Sequence, residues 1–179
     1  MTSQWQQVVR QDWSQTVNQR SVKILLVLPV IVILLSAYLY PVVSQPPFTT
    51  GRFGSFVRGL LRVVIPVVGV LLGYNAIVGD FESGSLLLMI SLPQRRRTIV
   101  VARYIARAGL LIIATFIAII VGAGLVAYPF GSFQLFGALM LIGIIAGYSA
   151  TWVGIGVAAS TLVATTRRAL GLGFAMVFL

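Results

Sequence analysis

The sequence contains no cysteine, no histidine, only one lysine and only three acidic residues. Without thiols or imidazoles the chain cannot form disulfides, thiolate or imidazole metal sites, or Cys/His and Ser/His catalytic pairs. Three carboxylates are also too few to build a general acid–base site inside a membrane. We therefore expect no catalytic residue, no metal site and no bound cofactor, and a membrane-embedded enzyme is the poorest interpretation.

What the sequence does contain is mostly apolar. Of its 179 residues, 59% are hydrophobic and 9% charged, and the mean hydropathy of +1.02 is well above that of soluble domains. The net charge of +10 does not indicate nucleic acid, because a nucleic-acid-binding domain spreads lysines and aromatic residues over a solvated face. The expected partner is therefore the lipid bilayer, with no nucleic acid.

Four apolar runs approach the roughly 20 residues that a helix needs to cross a bilayer. They cover residues 24–40, 63–78, 109–128 and 133–159, and a fifth run starts at 170, close to the last residue, Leu179. The fold class predicted is all-α, a polytopic transmembrane helical bundle forming one domain over 1–179. The fifth run is too short to cross, so we expect a chain truncated inside its fifth span; the alternative is a short terminal helix at the interface.

The basic residues predict the orientation, because Lys and Arg near span ends stay on the cytoplasmic side. With the N-terminus inside, only Arg52, Arg58 and Arg62 fall in an external loop, between the first two spans. No acid or base is then expected at mid-membrane, which argues against an ion-coupled transporter. We expect a multi-pass membrane protein with a cytoplasmic N-terminus. The cytoplasmic basic residues are Arg10, Arg20, Lys23, Arg95, Arg96, Arg97, Arg103, Arg107, Arg167 and Arg168.

Residues 1–22 have apolar side chains at helical spacing, including Trp5, Val9 and Trp13. Because Trp favours the headgroup region and the flanking cations suit anionic lipid, the pattern predicts an interfacial amphipathic helix. The alternative is a helix that caps the cytoplasmic end of the bundle.

The stretch 79–97, GDFESGSLLLMISLPQRRR, concentrates charge in an otherwise apolar chain. Gly79 is suited to end a helix, Asp80 to cap the next one, and Glu82 to its first turn, where the helix dipole favours negative charge by roughly 0.3–1 kcal/mol. Residues 83–91 then form a short helix, ended by Pro93. The leucines of this helix must pack against another surface, either a partner protein or the membrane.

Basic residues continue beyond the proline. Arg96, Arg103 and Arg107 are 7 and 4 residues apart, which places them along one side of a helix that runs into the third span. The alternative role for cations here is simple cytoplasmic anchoring.

Two glycine pairs, Gly69-x-x-x-Gly73 and Gly143-x-x-x-Gly147, allow helices to approach closely. They suit either a dimer of two such chains or tight internal packing, and we expect internal packing.

The motifs of the charged stretch resemble a known family. Glu82-x-Gly84-Ser85-Leu86, Ser91-x-Pro93, Arg96 and Arg103 resemble the E-x-G-[ST]-L … S-x-P-x-x-R … [KR] signature of permease subunits of ATP-binding-cassette (ABC) transporters of the type-2 exporter kind. The resemblance is sharp over residues 73–107. Ala102 and Ser85 stand where Gly and Thr are common. Family members usually have six spans, so the chain would cover about the first two thirds.

The resemblance implies that segment 79–97, a cytoplasmic coupling helix, docks with the N-terminal helix onto a separate ATPase subunit. No Gly-x-x-x-x-Gly-Lys-[Ser/Thr] motif occurs, so ATP hydrolysis is expected in that partner. A second permease chain would complete a homo- or heterodimer in a prokaryotic plasma membrane, whereas the cargo and the choice between import and export are left open. The alternative is a non-transporting membrane scaffold or sensor. The residues carried over as partner-binding are Asp80, Glu82, Gly84, Ser91, Pro93, Arg96 and Arg103.

Overall fold

The computed structural model describes residues 13, 16, 18–74, 76, 96–130, 134–163 and 165–178. These residues form five helices and, within the same ranges, no strand. The predicted all-α bundle is therefore confirmed. The helices are α1 (Arg20–Val43), α2 (Thr50–Gly73), α3 (Arg96–Phe130), α4 (Leu135–Leu162) and α5 (Thr166–Phe178).

Four helices are long and apolar enough to cross a membrane: α1, α2, the Val100–Pro129 part of α3, and α4. A helix of 24 residues, such as α1 or α2, extends about 36 Å, more than the roughly 30 Å of a bilayer core. The chain is thus a multi-pass membrane protein.

Contacts at the two ends show how the helices alternate in direction. At one end, which we call the outer end, the Tyr40 hydroxyl donates to the Thr49 carbonyl and the Gln134 amide donates to the Thr50 hydroxyl at 2.8 Å. At the other, the inner end, α3 contacts the last turn of α2 through Arg107 and Leu72. Helices α2 and α4 therefore run from the outer end to the inner end, and α1 and α3 run the opposite way.

The close packing of α2 on α4 depends on glycine. A Cβ at Gly69 would lie 2.8 Å from the Trp152 Cβ, and one at Gly73 would lie 2.6 Å from the Val157 amide nitrogen. Gly156 on α4 is the reciprocal contact, with Val70 of α2. The Gly69-x-x-x-Gly73 pair therefore packs internally, as expected.

The second glycine pair differs from the prediction. Gly143 and Gly147 lie on an exposed side of α4, and a Cβ at either would have no atom of the described residues within 4 Å. The expectation that this pair also packs internally is wrong, because α4 presents a different side to α2.

Helix α2 begins well before the predicted span of 63–78. The expectation that Arg52, Arg58 and Arg62 lie in a loop is wrong, since all three are on this helix. Buried apolar side chains recur every three or four residues along it, so one side packs into the bundle while the arginines take another. The side chains of that buried series are Phe53, Val57, Leu61, Ile65, Val68 and Leu72.

Helix α5 packs on the inner half of α2 and α4. Ala169 is fully buried, and a Cβ at Gly173 would collide with the Val70 side chain. With 13 residues it spans about 20 Å, less than a bilayer core, and it begins slightly before the run predicted from residue 170.

Candidate functional site at the inner end of the bundle

The predicted coupling segment lies mostly outside the described residues. Asp80, Glu82, Gly84, Ser91 and Pro93 all fall in that part, so their predicted roles stay predictions. The structure does describe the two helices that flank the segment, α2 before it and α3 after it. Their facing ends define the site.

Two arginines of α3 reach the end of α2. The Arg103 guanidinium is buried, with 7% of the residue exposed, and its Nη1 donates to the carbonyl oxygen of Ala76. The half-buried Arg107 places its Nη1 2.7 Å from the carbonyl oxygen of Leu72. We call this pair of contacts the arginine clamp.

The Arg107 contact satisfies a need common to all helices, whereas Arg103 fixes the chain at Ala76, three residues beyond the last residue of α2. The last four carbonyl groups of a helix have no partner within it, and they carry the negative end of the helix dipole. A guanidinium group suits both features, because it donates several hydrogen bonds and carries a positive charge. The spacing of Arg103 and Arg107 by 4 residues places both on the side of α3 that faces α2.

Arg96, the other described residue of the predicted set, is the first residue of α3. The prediction that a helix continues from Arg96 into the third span is confirmed, since α3 is unbroken to Phe130. The structure does not describe the Arg96 side chain. The segment 77–95 thus begins one residue after the Ala76 contact and ends where α3 starts.

The N-terminal segment also reaches this end. The interfacial helix predicted over 1–22 lies mostly outside the described residues, but Trp13 and Thr16 are included. A Cβ at Gly109 of α3 would lie 3.0 Å from the Trp13 ring, and Thr16 is 3% exposed. At these two residues the N-terminal segment therefore contacts the bundle.

The chemistry of the described site is that of cations and backbone carbonyls. All three acids of the chain, Asp12, Asp80 and Glu82, fall outside the described residues, and the part that the structure describes holds no group of metal-binding side chains. Such a site can hold two helix ends together and can transmit displacement between them.

Sequence reasoning did not identify what Arg103 and Arg107 contact. Their spacing showed a shared side of a helix, but the carbonyl acceptors lie 27 and 35 residues away along the chain. The available signal was an apolar helix ending just before a charged segment, since its orphan carbonyls must find donors.

A comparison with known protein families gives a match. A family model for ABC-2 family transporter proteins matches residues 6–179, whereas a comparison with curated proteins finds no match. Membrane proteins of that family generally work with an ATP-binding subunit. The matched region is nearly the whole chain, including the charged stretch 79–97 and the arginine clamp. The chain therefore belongs to the ABC-2 family of transporter proteins and is a membrane subunit of an ABC transporter.

Proposed function

We propose that this chain is a permease subunit that couples ATP hydrolysis, performed by a separate ATPase subunit, to movement of a substrate across the membrane. The observation that carries the proposal is the arginine clamp. It joins the end of α2, where segment 77–95 leaves the bundle, to α3, the helix into which that segment leads, at positions 7 and 11 residues after Arg96. A displacement of that segment by the ATPase would therefore move both helices together.

The packing supports a path from the segment to the rest of the bundle. Helix α2 contacts the backbone of α4 at Gly73 and Gly156, with no side chain between them to absorb a displacement. Close-packed interfaces of this kind shift as units and do not deform continuously. Closure of an ATPase on segment 79–97 would move α2 and α3 together, and α4 would follow.

The residues then have distinct roles. Asp80, Glu82, Gly84, Ser91, Pro93 and Arg96 form the docking surface for the ATPase, where charge-assisted hydrogen bonds and a leucine-filled groove give affinity. Arg103 is a positioning residue, because its guanidinium is buried against Ala76 and acts on the segment through the end of α2. The ATP chemistry belongs to the partner, since the chain has no P-loop motif.

The remaining parts of the proposal concern assembly and location. A second permease chain completes the transporter, and the open side of α4 at Gly143 and Gly147 gives a helix of that chain room to approach. The inner end faces the cytosol of a prokaryotic cell with the N-terminus on that side, since the exposed Arg20, Lys23, Arg167 and Arg168 all lie there.

The test is the dependence of complex formation on the charged stretch. A tagged chain purified from its native membranes should carry an ABC ATPase, and Glu82→Lys should remove that subunit because it reverses a charge at the docking surface. Tyr128→Lys is the matched control; Tyr128 is 95% exposed near the outer end, and this variant should keep the subunit. Retention of the ATPase by Glu82→Lys would overturn the proposal.

A second measurement separates transport from the scaffold alternative. In reconstituted complexes, a transporter should show ATPase activity that rises when cargo is present. A stable complex whose activity never responds to any cargo would instead favour the scaffold.

A further inference from the structure

Three arginines of α2 lie on a side that no described helix covers. Arg52, Arg58 and Arg62 are all exposed, as are Ser55 and Gly59 between them. At 3.6 residues per turn these five positions share one arc of the helix, opposite the buried Val57 and Leu61 side. We call the five residues the basic face.

The basic face lies inside the membrane-crossing part of the bundle. The Tyr148 hydroxyl, near the middle of α4, donates to the Arg62 carbonyl at 3.0 Å. Counting from Thr50 at the outer end, Arg62 is displaced by roughly 18 Å, about half of the bilayer core.

A second contact ties the outer part of α2 to α1 and α3. Phe53 of α2 and Ile33 of α1 both lie within 4 Å of a Cβ built at Gly122 of α3. Counted from Thr50, Phe53 lies about 5 Å along α2, Arg58 about 12 Å and Arg62 about 18 Å, so Arg62 is the deepest of the three arginines. Arg58 and Arg62 therefore both lie on a helix that is long and apolar enough to cross a membrane, where no cation was expected.

These guanidinium groups have no counter-charge in the described bundle. No hydrogen bond or ion pair joins the Arg58 or Arg62 side chain to any residue that the structure describes. In sequence, the three acids of the chain are at positions 12, 80 and 82, beside the inner ends of the helices. Side chains one turn apart also repel each other when their charges are alike.

Physical chemistry restricts what can surround such a face. Charged side chains within membrane spans almost always face a bundle interior or a water-filled cavity, because hydrocarbon does not solvate them. From mid-membrane, an arginine side chain is too short to reach the headgroups about 15 Å away. The basic face therefore borders water or an anion.

We propose that the basic face lines the aqueous path through which the substrate crosses, and that the substrate is an amphipathic anion carrying a phosphate or carboxylate group. This inference rests on the proposed transport function and adds the substrate class. A guanidinium binds both groups bidentately, and an anion between Arg58 and Arg62 removes their repulsion. The exposed Leu60 and Val63 beside the arginines give the apolar part of the substrate a surface to contact.

The absence of cysteine makes a clean accessibility test possible. Gly59→Cys places a thiol on the basic face, where a Cβ meets no atom within 4 Å. Ile117→Cys is the control, because Ile117 is 55% exposed on α3 at about the same depth and has apolar surroundings. Each full-length variant is reconstituted in phosphatidylcholine vesicles and treated with anionic sulfonatoethyl or cationic trimethylammonioethyl methanethiosulfonate.

The thiol at position 59 should react readily, and the anionic reagent should react roughly tenfold or more faster than the cationic one, because a charged cleft concentrates counter-ions. Adding Arg58→Gln and Arg62→Gln should bring the two rates close together. Ser55→Cys, a nearly isosteric change on the same face, repeats the measurement should Gly59→Cys fail to fold. Rates at 59 and 55 no higher than at 117, or no preference for the anion, would overturn the proposal.

Protection from labelling tests the substrate class. Decyl phosphate should slow the reaction of Gly59→Cys several-fold, whereas uncharged decyl maltoside should not. Slowing by inorganic phosphate as well would place the whole recognition in the anionic group; slowing by decyl phosphate alone would show that the apolar body contributes. No slowing by either phosphate, or equal slowing by the maltoside, would contradict an anionic substrate. These rates need no ATPase, so failure here and failure of the coupling proposal are distinguishable.

Discussion

Replacing Arg103 by methionine removes a guanidinium while retaining much of its apolar stem. The variant loses a hydrogen bond from a charged donor to the Ala76 carbonyl, which contributes about 1.5–3 kcal/mol. It also loses a cation at the C-terminal end of α2, which contributes about 0.3–1 kcal/mol. The end of α2 should therefore open more easily by about 2–4 kcal/mol, while the global fold keeps its α2–α4 packing.

Amide hydrogen exchange measures this local opening directly. The Tyr74 and Ala76 amides donate to the Val70 and Gly73 carbonyls in the last turn beside the clamp. Because each 1.4 kcal/mol changes an equilibrium tenfold, exchange at these amides should accelerate roughly 30-fold to several-hundred-fold in Arg103→Met. Arg168→Met, which removes an exposed arginine at the same end, should leave both amides unchanged.

Exchange in Arg103→Met at the wild-type rate would refute the reasoning, because it would show that the clamp does not hold the end of α2. A functional readout accompanies it. The purified complex of Arg103→Met with its ATPase should still assemble, but cargo should stimulate ATP hydrolysis less. If Arg103→Met no longer bound the ATPase while the Tyr74 and Ala76 amides exchanged at the wild-type rate, Arg103 would instead belong to the docking surface.

Two further substitutions test the packing that surrounds the clamp. Gly73→Ala should lower the melting temperature by several degrees, because the new Cβ would lie 2.6 Å from the Val157 amide nitrogen and overpacking costs about 1–3 kcal/mol. The control Gly143→Ala, whose Cβ would meet no described atom within 4 Å, should leave the melting temperature unchanged. Equal melting temperatures for the two variants would contradict the close α2–α4 contact. Thr50→Val should cost about 1 kcal/mol and lower the melting temperature by about 2–4 °C, because it removes the buried hydroxyl that accepts from the Gln134 amide. An unchanged melting temperature for this variant would show that the hydrogen bond contributes nothing to the outer end.

The number and type of the long helices could be predicted from the sequence because their signal is local. A helix in a bilayer satisfies its own backbone, so a sufficiently long apolar run specifies it without reference to the rest of the fold. The runs at 24–40, 109–128 and 133–159 each lie within or nearly within an observed helix.

Helix α2 shows where that reasoning fails. Its first half carries Arg52, Arg58 and Arg62, which lower the average hydropathy and resemble a loop between spans. Periodicity was the better signal, since apolar residues at Phe53 and Val57 continue the pattern of the second half. A membrane span with one charged side is identified by the periodicity of its apolar side and not by its average hydropathy.

The site could be predicted only in part, for a related reason. The charges of Arg103 and Arg107 and their shared side of α3 follow from the sequence, but the Ala76 and Leu72 carbonyls that they bind are set by tertiary packing. Likewise, nothing in the two glycine pairs distinguishes the buried Gly73 from the open Gly143. Motif spacing indicates that helices can approach, whereas the neighbouring helix decides whether they do.

The central claim is that an ATP-binding partner binds the charged stretch after α2. Site-specific photocrosslinking in native membranes tests this claim most directly. A benzoylphenylalanine replaces Phe81 in that stretch or, as a control of similar shape, the exposed Tyr128 near the outer end. We expect a covalent adduct from position 81 whose partner contains a P-loop and labels with azido-ATP, and no such adduct from position 128. Absence of a nucleotide-binding adduct at 81, or its equal appearance at 128, would contradict the account.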